Sequence, residues 1–316
     1  ITRKNAMNPA LLNDKKYHIY PTVAAELYNI TLDFKYNVDG IGDLALVRFL
    51  FEAVIKSTEI LKTDNGLKLQ LIRTLENLAE YPTRVEDEVK VWADVLDGKK
   101  LIYNIPWNMM PVFPGEQVTL NSSPKDLKIA NDSYNTVITE GGNDLVFNPM
   151  VEARLGRLDL AKLKRNIKYN LMPNGSCTDK VSVSGGRYSD YKTDFNFMAR
   201  MGVWVENFAL TAPINEGLMQ SVDGIIRVFP SWDSTDAKFE NLRAVGAFLV
   251  SSEKKDGEII NVTVLSEKGG LCRVINPWPG RTFEIIRDRK RSTKKGNLIE
   301  LELRPRDIIK LSPSSR

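Results

Sequence analysis

Leu44, Val47, Phe51, Val54, Thr58 and Leu61 recur three or four positions apart on one largely apolar stripe, so the chain after Gly42 predicts a long amphipathic helix. Asp43 suits its N-terminal end. Asp64-Asn65-Gly66 ends that helix and opens a second, about Leu67 to Glu80, broken by Pro82. A helix, a short turn and a helix make the hairpin unit of an all-α toroid. Further helices are predicted at about Pro124–Thr136, Asn143–Leu155, Leu158–Tyr169, Tyr191–Met201 and Thr211–Gln220, with Pro149 an awkward fit in the second of these. Residues 1–40 read as loop-rich. Residues 103–121 contain three prolines and a glycine and read as an ordered loop too apolar to be solvated. Residues 176–190 are polar and Gly-rich, a loop.

The period changes near residue 225. Ile225–Phe229, Arg243–Val250, Ile259–Leu265, Gly270–Asn276, Thr282–Ile286, Leu298–Leu303 and Asp307–Leu311 are short, β-branched or alternating, and separated by Gly, Pro or charged turns. Short strands at this spacing predict an antiparallel β-sandwich. The expected class is therefore mainly α with a β domain: a helical domain over 1–224 and a C-terminal β-sandwich over 225–316.

Composition is that of an ordinary globular protein, 42% hydrophobic and 27% charged, and 316 residues allow one large domain and a small one. A net charge of +4 implies no polyanionic partner, and no nucleic acid is expected. The one basic run, Arg287 to Lys295, reads as a solvated hairpin loop between two strands. Cys177 and Cys272 have neither disulfide-framework nor metal-site spacing. No apolar run reaches transmembrane length, and no membrane partner is expected. The chain opens at Ile1 in a polar segment and reads as part of a longer protein.

Candidate chemistry concentrates in Gly202–Trp232. Glu206 stands beside Asn207, between Trp204 and Phe208. Rings cover the apolar face of a pyranose, and amides and carboxylates bind its hydroxyls. Asn207 either orients Glu206 or a sugar hydroxyl, or caps the following helix; Trp204 either stacks on a sugar or fills the helical domain. His18, the single histidine, lies eight residues before Glu26 among tyrosines. It is a candidate sugar contact or a buried structural group. Glu140–Asp144 matches no phosphate-binding fingerprint, because no strand precedes it. Asn143 or Asp144 there is a candidate for an inner loop facing the cleft.

These segments resemble, in order, the motifs of glycoside hydrolase family 95, the α-L-fucosidase and α-L-galactosidase family. Pro21-Thr22-Val23-Ala24-Ala25-Glu26 is similar to its "P..SPE" turn, and Asp43 to Leu61 to its "D..I...LF…A..IL" helix. Pro111 to Gln117 is similar to "LYPG.QI", and Glu152 to Gly156 to "WARLGD". Glu206 to Ser221 is similar to "DGNFG…LLQS", and Leu242 to Phe248 to "LRARGGF". There are departures. Tyr103 to Asn108 stands where the family has sugar-holding histidines, which leaves Trp107 and Asn108 as the candidate pocket residues. Glu206 directly precedes Asn207 with no intervening Gly.

The resemblance implies an (α/α)6 toroid followed by a β-sandwich, with Glu26 as general acid and Glu206 as base. It implies an inverting cleavage of a terminal glycosidic bond in an oligo- or polysaccharide, without cofactor or metal, in a periplasmic or secreted protein. Two carboxyls roughly 6.5–9.5 Å apart, one protonated and one ionised, are what that chemistry requires. About eight helices are readable where six hairpins need about twelve. The toroid is thus expected to be incomplete and completed by an N-terminal portion of the same protein. The altered base and histidine motifs keep a second reading open, a non-catalytic carbohydrate-binding relative. A scaffold protein is a third.

Overall fold

A computed structural model of the chain describes residues 14–23, 38–100, 103, 105–138, 145–171 and 209–314. It divides into two compact units, Ile1–Val151 with Ile167–Asn207, and Glu152–Asn166 with Phe208–Arg316.

In the first unit, α1 (Ile41–Leu61) and α2 (Asn65–Glu76) form the expected hairpin. Lys62 and Asp64 take left-handed conformations (φ 54° for both) and turn the chain between the helices. The stripe is buried only in part. Leu44, Leu78 and Ala79 make a small core with Tyr17, Ile19, Val47 and Tyr81. Leu61, expected on the stripe, is 70% exposed. The segment before α1 is tied to the end of α2: the Tyr17 amide donates to the Asn77 carbonyl (2.7 Å) and the Ala79 amide to the Tyr17 carbonyl (2.9 Å).

The helical region also contains strands. β1 (Thr83–Glu86) and β2 (Val89–Trp92) form an antiparallel hairpin where the pattern gave no strand. Asp87 and Glu88, both at positive φ, make its two-residue turn without the glycine that would have announced it. α3 (Pro124–Asn135) packs on β2, where the Trp92 amide donates to Ser133 Oγ (2.8 Å). Ser123 caps α3 by accepting from the Asp126 amide (3.2 Å). The loop 103–121 is internal, as its composition implied: Met109 and Val112 are fully buried. α4 (Phe147–Arg154) is shorter than expected and carries Pro149 in its first turn, where the missing N–H costs nothing. α5 is Leu160–Asn170.

In the second unit, α6 (Thr211–Leu218) stops two residues early, and Met219–Gln220 is instead a short strand, β3, paired with β4 (Arg227–Val228). Then follow β5 (Ala237–Ala244), β6 (Phe248–Lys255), β7 (Glu258–Ser266), β8 (Gly270–Ile275), β9 (Phe283–Arg287), β10 (Lys290–Lys294), β11 (Leu298–Leu303) and β12 (Ile308–Pro313). Six of them make one antiparallel sheet in the order β10-β9-β12-β7-β6-β5, and β8 pairs with β11 in a ribbon. Phe248, Val250, Val262, Val264, Ile309 and Leu311 from the sheet share one core with Cys272, Val274, Ile299 and Leu303 from the ribbon. These residues alternate with more exposed ones, the period that the sequence shows. Burial pushes the Cys272 thiol up to about 12, so it is an inert core group.

Two strand expectations are corrected. Arg243–Val250, read as one strand, crosses the turn between β5 and β6, where Gly246 (φ 88°) and Ala247 (φ 60°) reverse the chain. The basic run is not a loop. Lys290–Lys294 pairs residue for residue with Phe283–Arg287 and forms the sheet edge, with all five positions exposed.

Candidate functional site

The residues that collect polar chemistry in the first unit surround the N-terminal turn of α1. Gly40 offers no side-chain cap there, and the Ile41 amide donates instead to the backbone carbonyl of Asp94 (2.9 Å). Gly42 lets the next layer approach: a Cβ on it would stand 2.3 Å from two ring carbons of Trp107. Thr22 donates its hydroxyl to the Asp43 carboxylate, which ties Thr22 to the same turn.

His18 is buried, 3% exposed, with both ring nitrogens engaged. Nδ1 lies 2.6 Å from Asp39 Oδ2 and Nε2 lies 3.0 Å from Asp14 Oδ2. Asp39, at φ 55° just before α1, also accepts from the Ile19 amide (2.9 Å). Burial opposes a charged imidazole, but hydrogen bonds to Asp39 and Asp14 and their charges outweigh it and raise the His18 pKa. Burial raises that of Asp39 despite the imidazole beside it. His18 therefore clamps residues 14–19 to the entry of α1.

Asp94 is fully buried. Tyr103 donates to its Oδ2 (2.7 Å), and Oδ1 has no hydrogen-bond partner. Burial pushes this carboxyl up to about 6, against the hydrogen bond from Tyr103 and the charge of Arg84, which pull it down. Burial and the adjacent Asp94 push the Tyr103 phenol well above its usual range. Trp107 and Asn108 sit on a single turn of 3-10 helix, Trp107–Met109. Asn108 is 0% exposed, with neither amide atom bonded, and the Trp107 indole nitrogen is also unpaired. Unsatisfied buried polar groups of this kind are costly and rare.

Of the sequence candidates, His18, Trp107 and Asn108 are thus gathered at one helix end. Glu26, Asn143, Trp204, Glu206 and Asn207 lie outside the described residues. Asp94 was not singled out from sequence, although a signal was present: an acid inside the apolar run Val91-Trp92-Ala93-Asp94-Val95.

In the second unit, two motif segments meet. Arg154 pairs with Glu216 (2.8 Å), and Gln220 Nε2 donates to the Ala153 carbonyl (2.6 Å). Gln220 is itself buried, so these residues join α4 to α6 and β3 as a structural strut. Among the described residues, no group of His, Cys, Asp and Glu could hold a metal ion. No helix there is long and apolar enough to cross a membrane.

The chain is glycoside hydrolase-like. It is similar to α-L-fucosidase 2 of Arabidopsis thaliana, 22% identical over 262 residues that cover 78% of the chain. It spans 30% of that protein's length. Among solved structures it is similar to a GH127 β-L-arabinofuranosidase from Geobacillus stearothermophilus T6. That match has 11% identity over 86% of this chain and 41% of the other, at a TM-score of 0.24, too low to equate the two folds. No family model matches the chain.

Proposed function

We propose that the chain is the C-terminal portion of a glycoside hydrolase that cleaves a terminal α-L-fucoside, α-L-galactoside or related sugar from a complex glycan, with inversion. The observation that carries this reading is the similarity to an α-L-fucosidase over most of the chain. The polar ring about the entry of α1 supports it. Trp107, Asn108 and Asp94 carry buried polar atoms without hydrogen-bond partners there. Glu26 follows Thr22 by four residues, a chain reach of at most about 14 Å from the same turn. In this reading Glu26 protonates the leaving oxygen and Glu206 activates water, with Asn207 orienting it. Trp204 and Asn143 complete the pocket. Residues 1–224 form part of an (α/α)6 toroid and 225–316 a β-sandwich. The exposed Leu46, Phe49, Leu50 and Leu61 of α1 fit against further helices of the same protein. The location is extracytoplasmic, and the reaction uses no cofactor.

The test is kinetic. Glu26→Gln and Glu206→Gln are expected to keep the melting temperature and to lower kcat at least a thousandfold on an aryl α-L-glycoside. Wild-type rates in either variant would remove that residue from the mechanism.

A second reading, a carbohydrate-binding relative without activity, rests on the altered base motif, in which Glu206 abuts Asn207, and on Trp107 and Asn108 in the place of histidines. It is favoured if the wild-type protein binds glycans and releases no sugar.

A further inference from the structure

One edge of the large sheet in the second unit carries charge out of proportion to the rest of the chain. Between Arg287 and Lys295 stand six basic residues and one acid, a net charge of +5 against +4 for the whole protein. The small total conceals this concentration, because the remaining residues nearly balance.

The acids nearby are taken up inside the fold. Asp307, which is buried, accepts from the Arg304 amide (2.7 Å) and from the Arg287 guanidinium. Asp288 accepts from Arg304 (2.8 Å). These bonds hold the turn between β9 and β10 against the turn between β11 and β12. Glu284 is paired with Arg291 (3.2 Å). Arg289, Lys290, Lys294, Lys295 and Arg306 remain, all exposed and with no carboxylate partner among the described residues. Elsewhere in the unit Lys238, Arg243, Arg273 and Arg281 each face a carboxylate. Protection of a sheet edge accounts for Lys290 and Lys294 on the strand. It does not account for Arg289 in the turn, Lys295 beyond the strand or Arg306 in the neighbouring turn.

A surface of one sign selects an anion, and its form selects the kind. Side chains on one side of a strand recur every second residue, so Lys290 and Lys294 stand about 13 Å apart with Ser292 between them. That row fits a linear chain with anionic groups repeated along it. The hydroxyls of Ser292 and Thr293 lie between the cations, where they can bond the neutral groups of such a chain. Between Arg287 and Asn297 there is no aromatic residue to stack on nucleic-acid bases, and a duplex takes a broader basic face. Nor is there a large apolar residue to enter a bilayer, and a basic strip alone is one signal where stable membrane attachment takes two.

We propose that the β10 edge binds an acidic polysaccharide, so that the glycan on which the protein acts is one with anionic groups along its chain. The proposal rests on the reading of the chain as a protein that acts on glycans, but it concerns holding the glycan and not cleaving it.

The test is binding of the full-length protein, at pH 7 and low salt, to immobilised polygalacturonate, to its neutral methyl ester, to duplex DNA and to phosphatidylserine vesicles. Wild type is expected to bind polygalacturonate at least tenfold more tightly than the other three, and to release it as salt rises. Lys290→Gln, Lys294→Gln and Lys295→Gln together, all at exposed positions, are expected to weaken that binding at least tenfold. Arginine at the same three positions is expected to keep it. Lys255→Gln with Lys268→Gln, which removes two exposed cations elsewhere in the unit, is expected to leave it within about twofold. No binding to polygalacturonate, equal binding to its methyl ester, or tighter binding to DNA or vesicles would overturn the proposal. So would an unchanged triple glutamine variant, or an equal loss in the Lys255 and Lys268 pair. Binding through β10 without sugar release from any glycan would instead overturn the hydrolase reading and leave this one standing.

Discussion

Asp94 holds its proton to higher pH than an exposed carboxyl, and this has consequences for stability. Its carboxyl is raised from 3.8 to about 6 by burial, so between those values the folded state binds a proton that the unfolded chain has released. Stability from this group is therefore fully present below pH 3.8, is lost as pH rises through about 6, and stays low above. At pH 7 the difference amounts to roughly 3 kcal/mol. Asp94→Asn, which keeps the acceptor for Tyr103, is expected to raise stability at pH 7 by up to roughly 3 kcal/mol and to be neutral at pH 4. Urea unfolding at the two pH values reads this directly; a variant less stable than wild type at pH 7 would contradict it. His18 acts with the same sign. Its pKa is raised above 6.5, so the clamp to Asp39 and Asp14 is fully present below pH 6.5 and weakens as pH rises through the folded value. His18→Asn is expected to cost roughly 3 kcal/mol at pH 5, because it leaves Asp39 buried without its partner. Wild type is expected to lose melting temperature as pH rises above 6.5, and the variant to lose that dependence. An unchanged melting temperature at pH 5 would show that the clamp carries no stability.

At the scale of elements, what was legible depended on turn chemistry. Asp87-Glu88, Asp256-Gly257 and Asp288-Arg289 are three two-residue turns with positive φ at both positions. Only Asp256-Gly257 carries the Asp-Gly signature, and only there did the sequence separate two flanking strands. The other two lack glycine, so the β1–β2 hairpin was missed and β10 was read as loop. Alternation fixed β7, β8, β11 and β12 to within a few residues, because one face of each is buried. β10 has no buried face to alternate with. Its composition has another origin: among the described residues Lys290, Arg291 and Lys294 sit on the edge strand of the sheet, where charge blocks pairing with another chain. Lys290→Thr, Arg291→Val and Lys294→Thr together are expected to leave the melting temperature within a few degrees of wild type. Light scattering on incubation at 37 °C should rise severalfold. Unchanged scattering would show that the charges guard nothing.

At the scale of the molecule, two units are present, and each brings together motifs far apart in sequence: Gly115 with Ala45 in the first, Arg154 with Glu216 in the second. The order of these motifs was visible in the sequence. Their role was not, because Arg154 and Gln220 read equally well as site or strut until burial and partners are known. His18 shows the same limit: its place among tyrosines was visible, but Asp39 stands 21 residues away. The central proposal is that this chain supplies both carboxyls of an inverting glycosidase. The most direct measurement is time-resolved NMR of the full-length protein with 4-nitrophenyl α-L-fucoside and α-L-galactoside. The β-anomer of the free sugar should appear first, with the α-anomer following by mutarotation. An α-anomer formed first, or no sugar released from either substrate, would contradict the account.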